Sequence, residues 1–87
     1  MIVTLLTKPV CEQCDRAKEI LGRLAAEFGF TIETISLDTP DGQRLAQTAG
    51  VMFAPGILID GRLATFGRPS ERRLRRELEA SSSRQAT

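Results

Sequence analysis

The chain has 87 residues, which is enough for one domain with a small core and leaves no room for a second domain. Hydrophobic residues make up 41% and charged residues 26%, an ordinary balance for a globular protein, and a formal net charge of +1 excludes a general attraction to polyanions such as nucleic acids. Residues 2–7 are too short a segment to span a membrane, and the start of the chain lacks the basic residues and cleavage site of a signal peptide. From these features we expect a protein of the reducing cytoplasm that binds neither membranes nor nucleic acids. We also expect a monomer.

The first part of the chain alternates strand and helix signals. Residues 2–7 are rich in β-branched and aliphatic side chains and predict the first strand. A helix from about residue 11 to 28 follows, because apolar residues recur there in steps of three and four. This stripe consists of Cys14, Ala17, Leu21, Leu24 and Phe28. Residues 31–37 predict a second strand, in which the apolar phase shifts between Ile32 and Ile35 and indicates either a bulge or a late start.

A short helix and a hairpin are predicted next. Thr39-Pro40 supplies an N-cap and a proline suited to the first helical position, and Gly50 ends this second helix. The apolar run 57–59 and residues 62–66 flank Asp60-Gly61, which is a strong hairpin signal. These two strands are therefore expected to pair antiparallel.

The chain ends in a third predicted helix. Ser70 is its N-cap, and Leu74 and Leu78 point inward. We expect one domain over residues 1–80 and a disordered tail over residues 81–87. The element order is βαβαββα, and the first two strands are parallel because a helix joins them. The predicted fold class is thus α/β, with a four-stranded mixed sheet covered by helices.

The only two cysteines, Cys11 and Cys14, stand where the first strand gives way to the first helix. A thiol at the first turn of a helix faces unpaired backbone N–H groups and the positive end of the helix dipole, and both favour its thiolate. Lys8 adds positive charge nearby, whereas Cys14 heads the apolar stripe and is expected to be buried and protonated. This pattern predicts disulfide exchange, in which Cys11 attacks a substrate disulfide and Cys14 resolves the mixed disulfide.

Two structural interpretations of the cysteine pair are disfavoured. A zinc site within one chain is excluded, because the sequence has no histidine and no third cysteine to complete a tetrahedral ligand set. The pair could also be two core cysteines with no chemical role, which are common in proteins. Their position between a strand and a helix start argues against that interpretation.

The segment from Thr7 to Cys14, with Ala54-Pro55 about forty residues later and Asp60-Gly61 beyond it, resembles the glutaredoxin and thioredoxin superfamily over nearly the whole chain. Within this superfamily, the sequence most resembles small bacterial glutaredoxin-like proteins. The resemblance implies a thioredoxin-like fold and a thiol-disulfide oxidoreductase. It implies an active site of a lysine, a nucleophilic cysteine, a resolving cysteine and a cis-proline, which correspond here to Lys8, Cys11, Cys14 and Pro55.

Three further residues are expected to bind substrate. The backbone of Ala54, exposed beside Pro55, can pair with an extended substrate segment. Phe53 serves either core packing, the interpretation we favour, or docking of a protein substrate beside the dithiol. The pair Phe66-Gly67 looks like the end of a thioredoxin, and Gly67 completes the expected substrate-binding set.

The chain departs from glutaredoxins just before the last helix. The Gly-Gly pair and following acid that hold the glutathione amine in that family are missing, and residues 65–70 read Thr-Phe-Gly-Arg-Pro-Ser. The resemblance therefore implies disulfide-containing protein substrates, with thioredoxin reductase as the better electron donor and glutathione as a weaker one. It implies no bound cofactor besides the redox-active Cys11–Cys14 disulfide. An iron–sulfur carrier bridged by glutathione is disfavoured by the second cysteine and by the altered glutathione element.

A function of another class is a cytosolic metallochaperone that carries a soft metal such as Cu(I) on the C-x-x-C pair. Such chaperones have a different element order, βαββαβ. They carry a methionine two residues before the first cysteine, where this chain has Pro9, and their pattern does not call for Pro55. The metallochaperone is therefore kept as the alternative.

Arginines crowd the last helix and its approach, at Arg68, Arg72, Arg73, Arg75 and Arg76. Interspersed glutamates make a solvated helix face the expected role of this segment. Docking of an acidic partner is the next interpretation. Nucleic-acid binding is the least supported, because no aromatic residues are interleaved with the arginines.

Overall fold

A computed structural model describes residues 1–85 and has the predicted element order. The strands are β1 (Ile2–Thr7), β2 (Thr31–Ser36), β3 (Gly56–Ile59) and β4 (Arg62–Phe66). The helices are α1 (Glu12–Phe28), α2 (Pro40–Ala49) and α3 (Glu71–Gln85). None of the helices in this range is long and apolar enough to cross a membrane.

The four strands form one mixed sheet in the order β2-β1-β3-β4. Strand β1 runs parallel to β2 and antiparallel to β3, and β3 runs antiparallel to β4. This confirms the predicted α/β fold. The β1–β2 pairing is regular from Ile2↔Thr31 to Thr7↔Ser36, so β2 contains neither the bulge nor the late start that its apolar pattern indicated. Because β2 is an edge strand, Ile32 remains 37% exposed without a change of register.

The hairpin between β3 and β4 forms at the predicted Asp60-Gly61 pair. Both residues have positive φ angles, 49° and 83°, as a two-residue turn that matches the twist of the strands requires. The irregularity in this sheet lies here, because Ile57 pairs with Thr65 whereas Leu58 pairs with Leu63. Ala64 is the extra residue of a β-bulge.

The core lies between one face of the sheet and the helices α1 and α3. Alternate residues of β1 and β3 face these helices, as the period of a strand requires. The buried cluster consists of Val3, Leu5, Ala17, Ile20, Leu21, Leu24, Phe30, Ile57, Ile59, Leu74 and Leu78. Helix α2 packs at the end of β2, where Gly42 lies so close to the Ser36 backbone that a Cβ atom would be 2.0 Å from its carbonyl oxygen.

Charged side chains join α1 to α3 at the surface. Arg75 bonds Glu27 on α1 and lies 3.8 Å from Glu71, which in turn accepts a hydrogen bond of 2.7 Å from Arg23. The hydrogen bond from Arg75 lowers the pKa of Glu27 below its ordinary value. The Arg75 guanidinium also lies over the ring of Phe28, 5.9 Å from its centre.

The C-terminal segment differs from the prediction. Helix α3 continues to Gln85, so the expectation of a disordered tail from residue 81 is wrong for residues 81–85. Ser81 is only 3% exposed, and its hydroxyl accepts a hydrogen bond of 3.1 Å from Nη2 of Arg62. This contact with β4 is tertiary, so it cannot be predicted from the serine-rich local sequence. The part of the tail prediction that concerns residues 86–87 lies outside the described residues.

Candidate active site

Cys11 is the N-cap residue of α1. Its backbone is extended, and its Sγ accepts a hydrogen bond of 3.1 Å from the backbone N–H of Cys14. Ser or Asp oxygens usually fill this position, where they satisfy N–H groups that have no partner within the helix. Here a sulfur atom fills it. The predicted placement of Cys11 at the helix start is therefore confirmed.

The two cysteines form a disulfide with a Cα–Cα distance of 5.2 Å, but their surroundings differ. Cys14 is 2% exposed and heads the buried stripe of α1, as predicted, whereas Cys11 is partly exposed. Val10 precedes Cys11 with a φ of 50° and has a fully exposed side chain. Cys11 is thus the more accessible residue of the pair, and Cys14 is enclosed by the core.

The proline segment lies beside the dithiol segment at one end of the sheet. Leu6, near the end of β1, pairs with Gly56, which begins β3, so the residues after β1 and those before β3 leave the sheet side by side. The Ala54–Pro55 peptide bond is cis, and Pro55 is fully buried. Its carbonyl oxygen accepts a hydrogen bond of 2.8 Å from the backbone N–H of Gly67, whose φ is 81°.

Phe53 is not a core residue. Its side chain is 64% exposed, so the expectation of core packing is wrong. The buried positions at this end of the sheet are taken by Pro55 and Gly56, which leaves the residues before them outside. The ring of Phe53 lies 5.5 Å from that of Phe66, tilted by 49°, and a Cβ atom on Gly67 would lie 3.6 Å from it. Met52 is 76% exposed next to it, so this loop presents apolar surface to solvent.

A groove of about 490 Å³ brings Lys8, Phe53 and Ala54 together. Its other lining residues are Leu37, Asp38, Gln43, Ala46, Gln47, Val51 and Met52. Cys11 and Cys14 do not line it, and Lys8 is the residue that connects it to the dithiol segment. The contribution of α2 was not predicted from the sequence. Its only signal was the spacing of Gln43 and Gln47, four residues apart on one helix face.

The described residues contain no group of three or more His, Cys, Asp or Glu side chains placed to hold a metal ion. The element order is βαβαββα and not the βαββαβ order of the metallochaperone alternative. This order agrees with the oxidoreductase interpretation, whose chemistry is that of the two thiols. A partly exposed cysteine at a helix N-terminus and a buried cysteine one turn away are an arrangement that suits exchange with a disulfide.

Comparison with known proteins supports the same chemistry. Residues 3–64 match the model of the glutaredoxin family. A probable thioredoxin of Archaeoglobus fulgidus is 27% identical over 86% of this chain and 82% of its own length. NADPH-dependent thioredoxin reductase 3 of Arabidopsis thaliana is 31% identical over 66% of this chain, a stretch that makes up 11% of that protein. Among solved structures, a mutant thioredoxin of Halobacterium salinarum superposes with a TM-score of 0.71 at 22% identity, covering 91% of this chain and 72% of that one, and shares the fold.

Proposed function

The chain belongs to the glutaredoxin family and is a thiol-disulfide oxidoreductase, and from this premise we propose that it reduces disulfides of protein substrates with Cys11 as the nucleophile and Cys14 as the resolving thiol. One observation carries the assignment of roles. The Sγ atom of Cys11 occupies the N-cap of α1 and accepts the N–H of Cys14, whereas the side chain of Cys14 is buried. A negative charge on sulfur is stabilised at the first position and not at the second.

The reaction is a pair of thiol exchanges. The Cys11 thiolate attacks one sulfur of the substrate disulfide, that S–S bond breaks, and the released substrate thiolate takes up a proton. Cys14 then loses its proton and attacks Sγ of Cys11, which breaks the mixed disulfide and releases the second substrate thiolate. Two electrons pass from the dithiol to the substrate, and the chain is left with the Cys11–Cys14 disulfide. An external dithiol or thiol reductant must restore the reduced form.

The neighbouring residues orient the substrate. Lys8 stabilises the Cys11 thiolate through its charge. Pro55 holds the backbone of Ala54 at the surface, where it can pair with an extended substrate segment. Phe53 supplies exposed apolar contact area for a protein partner, and Gly67 fixes the proline segment through its hydrogen bond to the Pro55 carbonyl.

We assign thioredoxin reductase as the better electron donor. The segment that holds the glutathione amine in glutaredoxins is replaced here by residues 65–70, and the N–H of Gly67 is already engaged by Pro55. Lys8 and Ala54 line the same groove and leave room for weak glutathione coupling. The chain then works as a monomer without a bound cofactor, in a reducing compartment such as the cytoplasm. The similarity to part of a thioredoxin reductase, and to proteins named thioredoxin, supports this donor.

A steady-state comparison tests the proposed function. Oxidised protein is supplied with NADPH and either thioredoxin reductase or glutathione with glutathione reductase, and reduction of one protein disulfide is followed under matched conditions. The Cys11→Ser/Cys14→Ser variant is the control. We expect turnover that is faster with thioredoxin reductase and absent in the variant. Faster turnover with glutathione would overturn the donor assignment, and no turnover with either, together with tight stoichiometric Cu(I) binding, would replace the enzyme with the metallochaperone.

A further inference from the structure

The arginines of the last helix and its approach fall into two groups. Arg75 is held by Glu27 and Glu71 and lies over an aromatic ring. The others are Arg68, Arg72, Arg73 and Arg76, and none of them forms a salt bridge with another residue of the part of the chain that the structure describes. A structural role thus accounts for one arginine. The other four arginines of this segment are exposed and have no structural role of this kind.

Three of these four arginines line one surface depression, and one of the three also lines a second. Arg72, Arg73 and Arg76 line a depression of about 480 Å³ together with Ser70 and a single acid, Glu77. Arg73 also lines an adjoining groove of about 320 Å³ whose other residues are Leu63, Ala64, Thr65 and Phe66 of β4. We call these two depressions together the β4–α3 groove. Three positive charges and one negative charge make its helical wall basic.

The strand side of the groove offers backbone groups. Strand β4 is at the edge of the sheet and, within residues 1–85, pairs with β3 alone, so the N–H and C=O groups on its outer side have no strand partner there. Four residues of this strand line the groove. An extended peptide can bind such an edge through main-chain hydrogen bonds. The adjacent arginines then determine which side chains the peptide should carry.

The groove leads to the candidate active site. Phe66 lines the groove, and its ring lies 5.5 Å from that of Phe53. Phe53 in turn lines the active-site groove with Lys8 and Ala54. A chain segment that lies along β4 next to Arg73 therefore continues across the aromatic pair to the proline segment beside the dithiol.

We propose that the β4–α3 groove docks an acidic extended segment of the disulfide-containing protein substrate, next to the cysteine that Cys11 attacks. The occupant is a protein segment because a sheet edge and an aliphatic floor lie beside the cations, and charge complementarity makes that segment acidic. A single-stranded nucleic acid would favour several stacked aromatic residues, and among the described residues that line the β4–α3 groove, Phe66 on the strand side is the one aromatic. This inference deepens the proposed function and rests on it.

The test compares two disulfide-bridged peptides that differ only in having Glu or Gln at the positions flanking one cysteine. Arg73→Gln/Arg76→Gln removes two cations from the groove, and Lys18→Gln/Arg44→Gln is the control that removes two exposed cations elsewhere. We expect wild-type kcat/KM to be about threefold to tenfold higher for the acidic peptide, the scale of one or two exposed ion pairs. This preference should shrink at about 0.5 M salt, vanish in the groove variant and persist in the control.

Absence of a preference in the wild type, its survival in the groove variant, or its equal loss in the control would overturn the inference. A second measurement does not depend on redox turnover. Anisotropy of a labelled cysteine-free acidic peptide is followed on titration with the oxidised protein and both variants. Weaker binding by the groove variant, but not by the control, supports the docking surface. A lack of peptide reduction in the same experiments would reject only the proposed function. Tighter binding of a single-stranded oligonucleotide of equal charge would overturn the assignment to a protein segment.

Discussion

The backbone N–H of Cys14 donates a hydrogen bond of 3.1 Å to Sγ of Cys11. In the reduced protein, the same donor is available to a Cys11 thiolate, and hydrogen bonds to a charged acceptor are stronger than those to a neutral one. The side chain of Cys14 has the opposite surroundings, because it is enclosed by the core. This difference in surroundings supports the two roles proposed for Cys11 and Cys14.

Lys8→Gln should raise the pH midpoint at which Cys11 is alkylated in the reduced protein. The change removes a cation three residues before Cys11 but leaves the helix terminus in place, so the thiolate loses a favourable interaction. Alkylation rates against pH, followed by mass spectrometry, measure it. Lys18→Gln on α1 is the matched control and should leave the midpoint unchanged. Equal midpoints for the wild type and Lys8→Gln would remove Lys8 from the site.

Phe53→Ser should slow reduction of a folded protein disulfide by about tenfold, since it removes most of an exposed aromatic surface worth about 1.4 kcal/mol on contact. Reduction of a small disulfide reagent should stay at the wild-type rate, because such a reagent does not reach across the loop. Both rates are measured on the same preparations. Ile32→Ser removes an exposed apolar side chain from β2 and is the control. An equal loss on both substrates would show that Phe53 does not dock protein.

The glycines of two helices should respond to alanine with opposite signs. Gly22 lies in α1, where a Cβ atom would meet no tertiary neighbour within 4 Å, so Gly22→Ala should stabilise the protein by about 0.5 to 1 kcal/mol. Gly42 lies in α2 against the carbonyl oxygen of Ser36, which is backbone and cannot move aside, so Gly42→Ala should destabilise it by about 1 to 3 kcal/mol. Urea unfolding measures both. Stabilisation by Gly42→Ala would contradict the packing of α2 described above, and destabilisation by Gly22→Ala would contradict the free space beside α1.

Local signals predicted most of the fold. Thr39 caps α2 through its hydroxyl, Gly50 ends it with a φ of 87°, and Asp60-Gly61 forms the hairpin, because each of these residues acts within a few positions of itself. The helical end around Ser81 depends on a hydrogen bond from Arg62 of β4, and the exposure of Ile32 depends on the position of β2 at the sheet edge. Neither relationship exists within one stretch of sequence.

The candidate site divides in the same way. The positions of Cys11 and Cys14 follow from one helix pattern and were predictable. The exposure of Phe53 was not, because it depends on Pro55 and Gly56 taking the buried positions at the end of the sheet. The bond between the Gly67 N–H and the Pro55 carbonyl follows from the predicted hairpin, because these residues lie directly next to the pair Gly56↔Phe66 in the β3–β4 register.

Glu27→Gln should lower stability near neutral pH, and the deficit should disappear in acid. The hydrogen bond from Arg75 depresses the pKa of Glu27 in the folded protein, so its contribution is fully present above the ordinary value of 4.5 and is lost as the pH falls through the depressed folded value. The measurement is the difference in urea midpoint between wild type and variant at about pH 7 and about pH 2.5. Glu33→Gln on β2 is the control and should show little difference at either pH. A deficit for Glu27→Gln that persists in acid would mean that the ion pair is not its cause.

The division of labour between the cysteines is the central claim, and trapping of the mixed disulfide tests it most directly. Reduced Cys14→Ser and Cys11→Ser variants are each mixed with a protein disulfide substrate, quenched and analysed by intact-mass spectrometry. We predict that Cys14→Ser accumulates a covalent adduct through Cys11, because attack proceeds and resolution is lost, and that Cys11→Ser forms none. An adduct on Cys11→Ser with none on Cys14→Ser would contradict the account and reverse the roles of the two thiols.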